Sequence, residues 1–339
     1  MHFQITDSFT QTEGGVAGSG AMAQRLLQSG FNLDALRPMA DAGQFRAQAV
    51  LRKDEWIQYD TALVEVARKR LVAVSDLLSA GMRYPLNNAL AKTRLEWETV
   101  SDFNPASITM SGLSEGENDR VTFELTGMPI PIIHKDFNIN LRALMASRTT
   151  GDALDTIQAQ LAGRIVAETI ESILFDGATV LGSNNTIYGL TTQPNRNTGS
   201  LSAPWNLATG EQIVSDIQVM LDAMVTDNMY GPYNLYVSAS SYIHLGDDYK
   251  ANSDKTIMQR VMEIPGISAI RPTKDLDDDE VVMLQMTSDV AEMVDGIQPS
   301  TIMWETHAGF VSHFKVMAIM VPRMRNDQAN QSGIAHYSA

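Results

Sequence analysis

Apolar residues along this chain follow two spacings, one helical and one strictly alternating. Asp54 to Leu78 carries Trp56, Tyr59, Leu63, Val66, Val74 and Leu77 at helical spacing, with Asp54 placed to cap the first amide groups. Arg68, Lys69 and Arg70 come late in that helix, where positive charge suits the helix dipole and reads as a solvated face. The period then drops to two. Leu95, Trp97 and Thr99 alternate with Arg94, Glu96 and Glu98, and Val121, Phe123 and Leu125 alternate with Thr122, Glu124 and Thr126. Both stretches predict half-buried strands. Between them, Ser101 to Arg120 is polar and contains Gly112, Gly116, Glu115, Glu117 and Asp119, without a two-residue Asn-Gly turn. Each arm of about eight residues extends roughly 26 Å. A two-stranded flap of that kind is marginal alone and needs a surface to lie on.

Helical spacing returns over Thr150 to Asp176, where Leu154, Ile157, Leu161, Ile165, Ile170 and Leu174 form a stripe broadened by Ala162, Val166 and Ile173. Asp152 and Asp155 favour its start, and Gly177 stands at a natural stop. About 25 residues of helix run close to 38 Å, long enough to act as a spine. A loop rich in Asn, Thr, Gly and Ser follows over Gly182 to Pro204. Gly210 to Val225 predicts a further helix, Tyr233 to Val237 a buried strand after the Gly231-Pro232 turn, and Ser240 to Gly246 a short helix. Val281 to Met286 and Thr301 to Val321 supply strands. Helices and strands mix without βαβ alternation, so the expected class is α+β rather than a doubly wound sheet.

The first 53 residues read as an arm. Gly14-Gly15, Gly18-Ser19-Gly20, Pro38 and Gly43 interrupt any regular period around a short helical stretch at Ala21 to Ser29. The glycine cluster lacks the Gly-Lys-Ser/Thr of a phosphate loop. A terminal stretch with so little core of its own is expected to find its order on a neighbour.

Composition narrows the function classes. The chain has 339 residues, 44% hydrophobic, enough for one large core or two modest ones. No run reaches the roughly 20 apolar residues of a membrane helix, and Met1 to Thr10 has no basic cluster, so neither a membrane span nor a secretory signal is expected. There is no cysteine, which removes disulfides and thiolate metal sites. A net charge of −15 argues against gripping nucleic acid through its phosphates. It suits a wall that does not adhere to polyanions beside it, and equally any soluble acidic protein.

The search for chemistry finds little. His2, His134, His244, His307, His313 and His336 make no zinc spacing, although His307 and His313 are placed to share a strand face. No Gly-x-Ser-x-Gly marks a nucleophile. Asp277, Asp278, Asp279 and Glu280 offer oxygen ligands to a hard cation but lack the calcium-loop pattern, and read as a solvated turn. The 19 methionines, many of them late in the chain, are expected mainly as core filling. No catalytic, cofactor-binding or metal-binding residue is assigned, and the chain is not expected to be an enzyme.

Three groups of residues carry a resemblance. Glu55-Trp56-Ile57-x-Tyr59-Asp60 with Ala67-Arg68-Lys69-Arg70-Leu71 is similar to the first helix of encapsulins. Ala167-Glu168-x-Ile170-Glu171-x-Ile173-Leu174-Phe175-Asp176-Gly177, followed by Gly189-Leu190, resembles the end of their spine helix and its loop. Gly231-Pro232-Tyr233 with Tyr236-Val237 and Tyr242-x-x-Leu245 resembles their Gly-Pro-Tyr strand and helix. In this order they resemble the Hong Kong 97-like fold of tailed-bacteriophage major capsid proteins, closest to its encapsulin-like branch.

That resemblance implies an N-terminal arm (1–53), a first helix opening the peripheral domain (54–90), and an extended β-hairpin loop (91–131). It further implies a peripheral domain with the spine helix (132–189), an axial domain (190–299), and return strands with a C-terminal tail (300–339). It implies a structural subunit forming pentamers and hexamers of an icosahedral head around double-stranded DNA, contacted without sequence specificity. The expected location is the virion, after assembly in the bacterial host cytoplasm. Expected partners are other copies of the chain, a portal and a separate scaffolding protein, with room for a decoration protein. Typical small encapsulins begin near the first helix, whereas about fifty residues precede it here, which favours a virus. Some shells of this fold are welded by a Lys–Asn isopeptide bond from the extended loop; Ser101 to Arg120 holds no lysine, so no such weld is expected. Phe31, Phe45, Trp97, Phe103 and Phe123 are the candidate inter-subunit contacts. The alternatives are an encapsulin nanocompartment around a cargo enzyme, and a soluble hydrolase or binding protein.

Overall fold

The computed structural model describes residues 70–100, 123–140, 157–180, 186–250, 254–307, 310–326 and 331–339, with single positions at 61, 65, 66, 110, 120, 142, 145 and 146. The expected arm, most of the first helix and the far end of the hairpin loop lie outside them. So do Phe31, Phe45 and Phe103.

The chain divides into two compact units, one of Met1–Val64, Lys135–Ala162 and Thr301–Val316, the other of Glu65–His134, Gly163–Ser300 and Met317–Ala339. The larger unit opens with α1 (Ala73–Ser79), β1 (Arg83–Pro85), and the antiparallel pair β2 (Arg94–Val100) and β3 (Phe123–Pro129). The sequence predicts one helix through Leu78, but regular helix is interrupted at Leu71 and Val72 and restarts at Ala73. The cause is a capping group from elsewhere. Val72 makes no side-chain cap, and the Glu171 carboxylate accepts from the amides of Ala73 at 2.6 Å and Val74 at 3.3 Å. A foreign carboxylate thus does the work of a local N-cap.

Glu171 lies on the spine helix α2 (Ile157–Asp176). Gly177 ends that helix at φ +73, as predicted, and Gly189 packs so closely that a Cβ would meet the Phe175 carbonyl. The returning loop then satisfies the last carbonyls: the Leu190 and Thr191 amides donate to Leu174 and Phe175 O, and Thr192 Oγ1 donates to Asp176 O at 3.1 Å. The short pair β5 (Ala178–Thr179) and β6 (Thr186–Ile187) closes this region.

A five-stranded sheet dominates the rest of the larger unit. Its strands are β7 (Asn197–Ser200), β8 (Tyr233–Ser238), β9 (Ile267–Thr273), β10 (Glu280–Gln285) and β13 (Ile334–Ser338), in the order β7-β13-β10-β8-β9. Helix α3 (Gly210–Thr226) covers it with Ile213, Ile217, Met220 and Met224, all buried with Leu235, Val237, Val281 and Met283. A Thr209–Gln212 capping box starts α3 one residue after the capping threonine. The short helices α4 (Ala239–His244) and α5 (Ile257–Met262) complete the layer. Trp205 is fully buried and donates to Asp216 Oδ2 at 3.1 Å, while Ser202 donates to the same carboxylate through its amide and hydroxyl. Near the end of the chain, Ile334–Ser338 pairs with β10 and β7 in this sheet. Val281 and Met283 demand an apolar partner strand, and Ile334, Ala335 and Tyr337 supply one.

A second sheet has the order β1-β11-β12-β4, from β4 (Ile133–Asn140), β11 (Ala291–Thr306) and β12 (Val311–Met324). Within the smaller unit, Phe137 stacks on Phe314 at 5.0 Å and Trp304 on His313 at 5.3 Å. Lys315 Nζ stands over the Trp304 ring and 3.5 Å from Asp136.

Candidate assembly surface

The ribbon β2–β3 is a sheet of two strands, as the alternation predicts. Its register pairs Leu95 with Met128, Trp97 with Thr126, Glu98 with Leu125 and Val100 with Phe123. Directly opposed residues share a face. Leu95, Met128 and Trp97 therefore occupy one face, and Glu98, Leu125 and Phe123 the other. At the root Leu95 and Met128 are buried, with Ile130 just beyond the strand. Farther out the opposite face is bare: Phe123 is 66% exposed and Leu125 64%.

The two described contact candidates are thus separated by the register. Trp97 is half-buried and turned to its own chain, where the Arg323 guanidinium stands 5.5 Å from its ring centroid. The same guanidinium is 4.5 Å from the Tyr84 ring and pairs with Glu292. Phe123 faces outward with Leu125, a neighbour that the sequence reading does not single out although it lies two residues away on the same face. Arg323 is also missed by sequence reasoning. Its signal is a cation just after the apolar run 316–321 of β12, where it is 8% exposed.

A second bare apolar row lies on the first half of α2, at Ile157, Leu161 and Ile165. Of the stripe predicted for this helix, Ala162, Val166, Ile170, Ile173 and Leu174 are buried, whereas Ile157, Leu161 and Ile165 are not. Glu171 stands within the buried part, 2% exposed. Burial pushes its carboxyl up to about 7, against the lowering effect of the Ala73 and Val74 amides. Burial likewise raises Asp176 and Asp275.

The remaining polar candidates are engaged structurally. His244 contacts Asp247 at 2.9 Å and the Ala208 carbonyl at 2.8 Å. His307 and His313 both meet the Thr306 hydroxyl, at 3.0 and 2.7 Å. His336 accepts from Arg196 Nε at 3.2 Å. In the acidic run, Asp278 accepts from Ser240 and from Asn206, and Ser240 and Ser238 hold its carboxyl below the usual range. Among the described residues no group of three or more His, Cys, Asp or Glu is arranged to hold a metal ion, and no helix is long and apolar enough to cross a membrane.

Residues 46–337 match a family of unknown function, DUF6260. The chain belongs to this family. Two solved structures share the fold of this DUF6260 chain. A virus-like particle from Pyrococcus furiosus aligns at TM-score 0.60 and 18% identity, over 84% of this chain and 99% of that one. The capsid of Myoviridae phage XM1 aligns at TM-score 0.60 and 11% identity, over 77% and 90%. In sequence, the DUF6260 chain is 27% identical over 207 residues to the type 1 encapsulin shell protein EncA of Myxococcus xanthus (strain DK1622), covering 60% of this chain and 67% of that protein. The expected α+β class and the Hong Kong 97-like capsid fold near the encapsulin branch are thereby met.

Proposed function

We propose that this DUF6260 chain is a structural shell subunit that self-assembles into a closed particle. The observation that carries the reading is the bare outward face of β2–β3, where Phe123 and Leu125 expose most of their surface on a ribbon only two strands wide. Apolar area left in water on a marginal ribbon is stabilised when another copy covers it, and many modest contacts summed over a closed shell make it durable. The shell and capsid proteins sharing this fold support the same reading. The division into arm, extended loop, peripheral and axial domains belongs to it, as do Phe123 as an inter-subunit contact and Phe31, Phe45 and Phe103 as further ones.

In its finer form the shell is an icosahedral phage head of pentamers and hexamers in the virion, enclosing double-stranded DNA without reading sequence. A portal, a separate scaffold and a decoration protein are the accessory partners. A net charge of −15 fits a wall that does not adhere to the packed polyanion. The likeness to EncA favours a second reading, a nanocompartment holding a protein cargo. Size-exclusion chromatography with electron microscopy tests the main claim: a megadalton particle is expected, and a stable 37.2 kDa monomer overturns it. Nuclease-protected DNA inside particles from the native source favours the head; co-purifying protein cargo favours the compartment.

A further inference from the structure

We infer that Arg323 is a positioning residue for assembly, holding the β2–β3 ribbon at the angle from which its outward face meets a second copy. The inference rests on the shell reading. The ribbon is rooted at the buried pair Leu95 and Met128, and its next inward-facing ring is Trp97. Tyr84 of β1 and Trp97 of β2 both stand within cation–π distance of one guanidinium, at 4.5 and 5.5 Å, and Glu292 of β11 pairs with the same group. Arg323 itself is almost wholly buried on β12. Three elements therefore meet on one rigid planar cation, and one of them is the ribbon.

Arginine suits this place for physical reasons. Its delocalised plane stacks on aromatic faces while its N–H groups engage a carboxylate, which a lysine ammonium cannot do together. The lever is short but sufficient. Val100 lies three residues beyond Trp97, roughly 10 Å along the strand, so a swing of roughly 15–20° at Trp97 moves Phe123 about 3 Å. A gap of only about 0.5–1 Å already forfeits much of a packing contact. A loosened anchor thus disperses the outward face without touching it, and assembly suffers while the subunit stays folded.

The test uses the full chain with Arg323→Lys, Trp97→Ala, Trp97→Phe and Glu292→Gln. Arg323→Lys and Trp97→Ala are expected to fold, by thermal unfolding and circular dichroism, but to lower particle yield by roughly tenfold at equal concentration. Trp97→Phe keeps a ring and retains assembly, and Glu292→Gln keeps the rings and has the smaller effect. Wild-type yield from both Arg323→Lys and Trp97→Ala overturns the inference, and if Arg323→Lys does not fold, Trp97→Ala decides. A second readout does not depend on particles. Because the chain has no cysteine, Glu98→Cys and Val219→Cys take spin labels at two chosen sites only. Their distance distribution in the dissociated subunit is expected to be narrow, and to broaden with Arg323→Lys; equal breadth overturns the inference even where wild type forms no particle. A wild type without particles but with the broadening defeats the shell reading alone.

Discussion

The five-stranded sheet and the β2–β3 ribbon are both built of short strands and end in opposite circumstances. Every residue of β8 is buried, β10 is nearly so, and α3 closes over them with a capped start and an apolar face. In the ribbon, the root pair Leu95 and Met128 is buried, Trp97 rests on Arg323, and Phe123 and Leu125 are left in water. The sheet draws its stability from its own chain. The ribbon draws only its attachment from there, so its outer half reports what the protein is for rather than how it folds.

The contrast is sharpened most by Trp205→Ala, which empties a fully buried site and strips Asp216 of its indole donor. Loss of a large core aromatic costs about 3–5 kcal/mol, and denaturant unfolding is expected to show it. Next comes pH. The folded-state pKa of Glu171 is raised from 4.5 to about 7, so the folded chain holds this proton more tightly than the unfolded one. The resulting stability is fully present below pH 4.5 and is lost as pH rises through about 7, an amount of ~3 kcal/mol. Glu171→Gln does not titrate, so its stability relative to wild type is expected to rise by about that amount between pH 4.5 and 8. A difference that stays flat across unfolding curves at the two pH values contradicts the assignment.

Smaller still is Thr209→Ala, which removes one half of the α3 capping box and costs about 1 kcal/mol, seen as a lower unfolding midpoint. The smallest change in subunit stability, within about 0.5 kcal/mol, is expected for Phe123→Ser with Leu125→Ser. That pair should nonetheless abolish particles in sedimentation analysis, because it removes the face that the proposed function assigns to a second copy. If the double variant unfolds the subunit and Trp205→Ala does not, the comparison between the two regions is reversed.

Much of this was legible beforehand where the neighbours in sequence are also the neighbours in space. Alternation at 94–99 and 121–126 announced a ribbon, Gly177 announced the end of the spine helix, and the Gly231-Pro232 turn preceded a strand that is indeed buried. The break at Leu71 and Val72 was not legible, because the group that causes it lies 98 residues away on α2. Nor was the exposure of Leu161 and Ile165, since the cover follows the face of the small residues Ala159 and Ala162 into Val166 and Ile170, and the larger apolar residues of the early turns lie beside that face.

By itself the amino-acid order determined the local periods, the stops and the α+β class, since these follow from φ/ψ preferences and side-chain spacing within a few residues. Only tertiary structure decided that Trp97 turns inward and Phe123 outward, that the C-terminal strand joins β10, and that Arg323 meets two rings and a carboxylate. Those outcomes depend on strand register and on contacts between distant segments, where a shift of one residue exchanges the two faces of a ribbon.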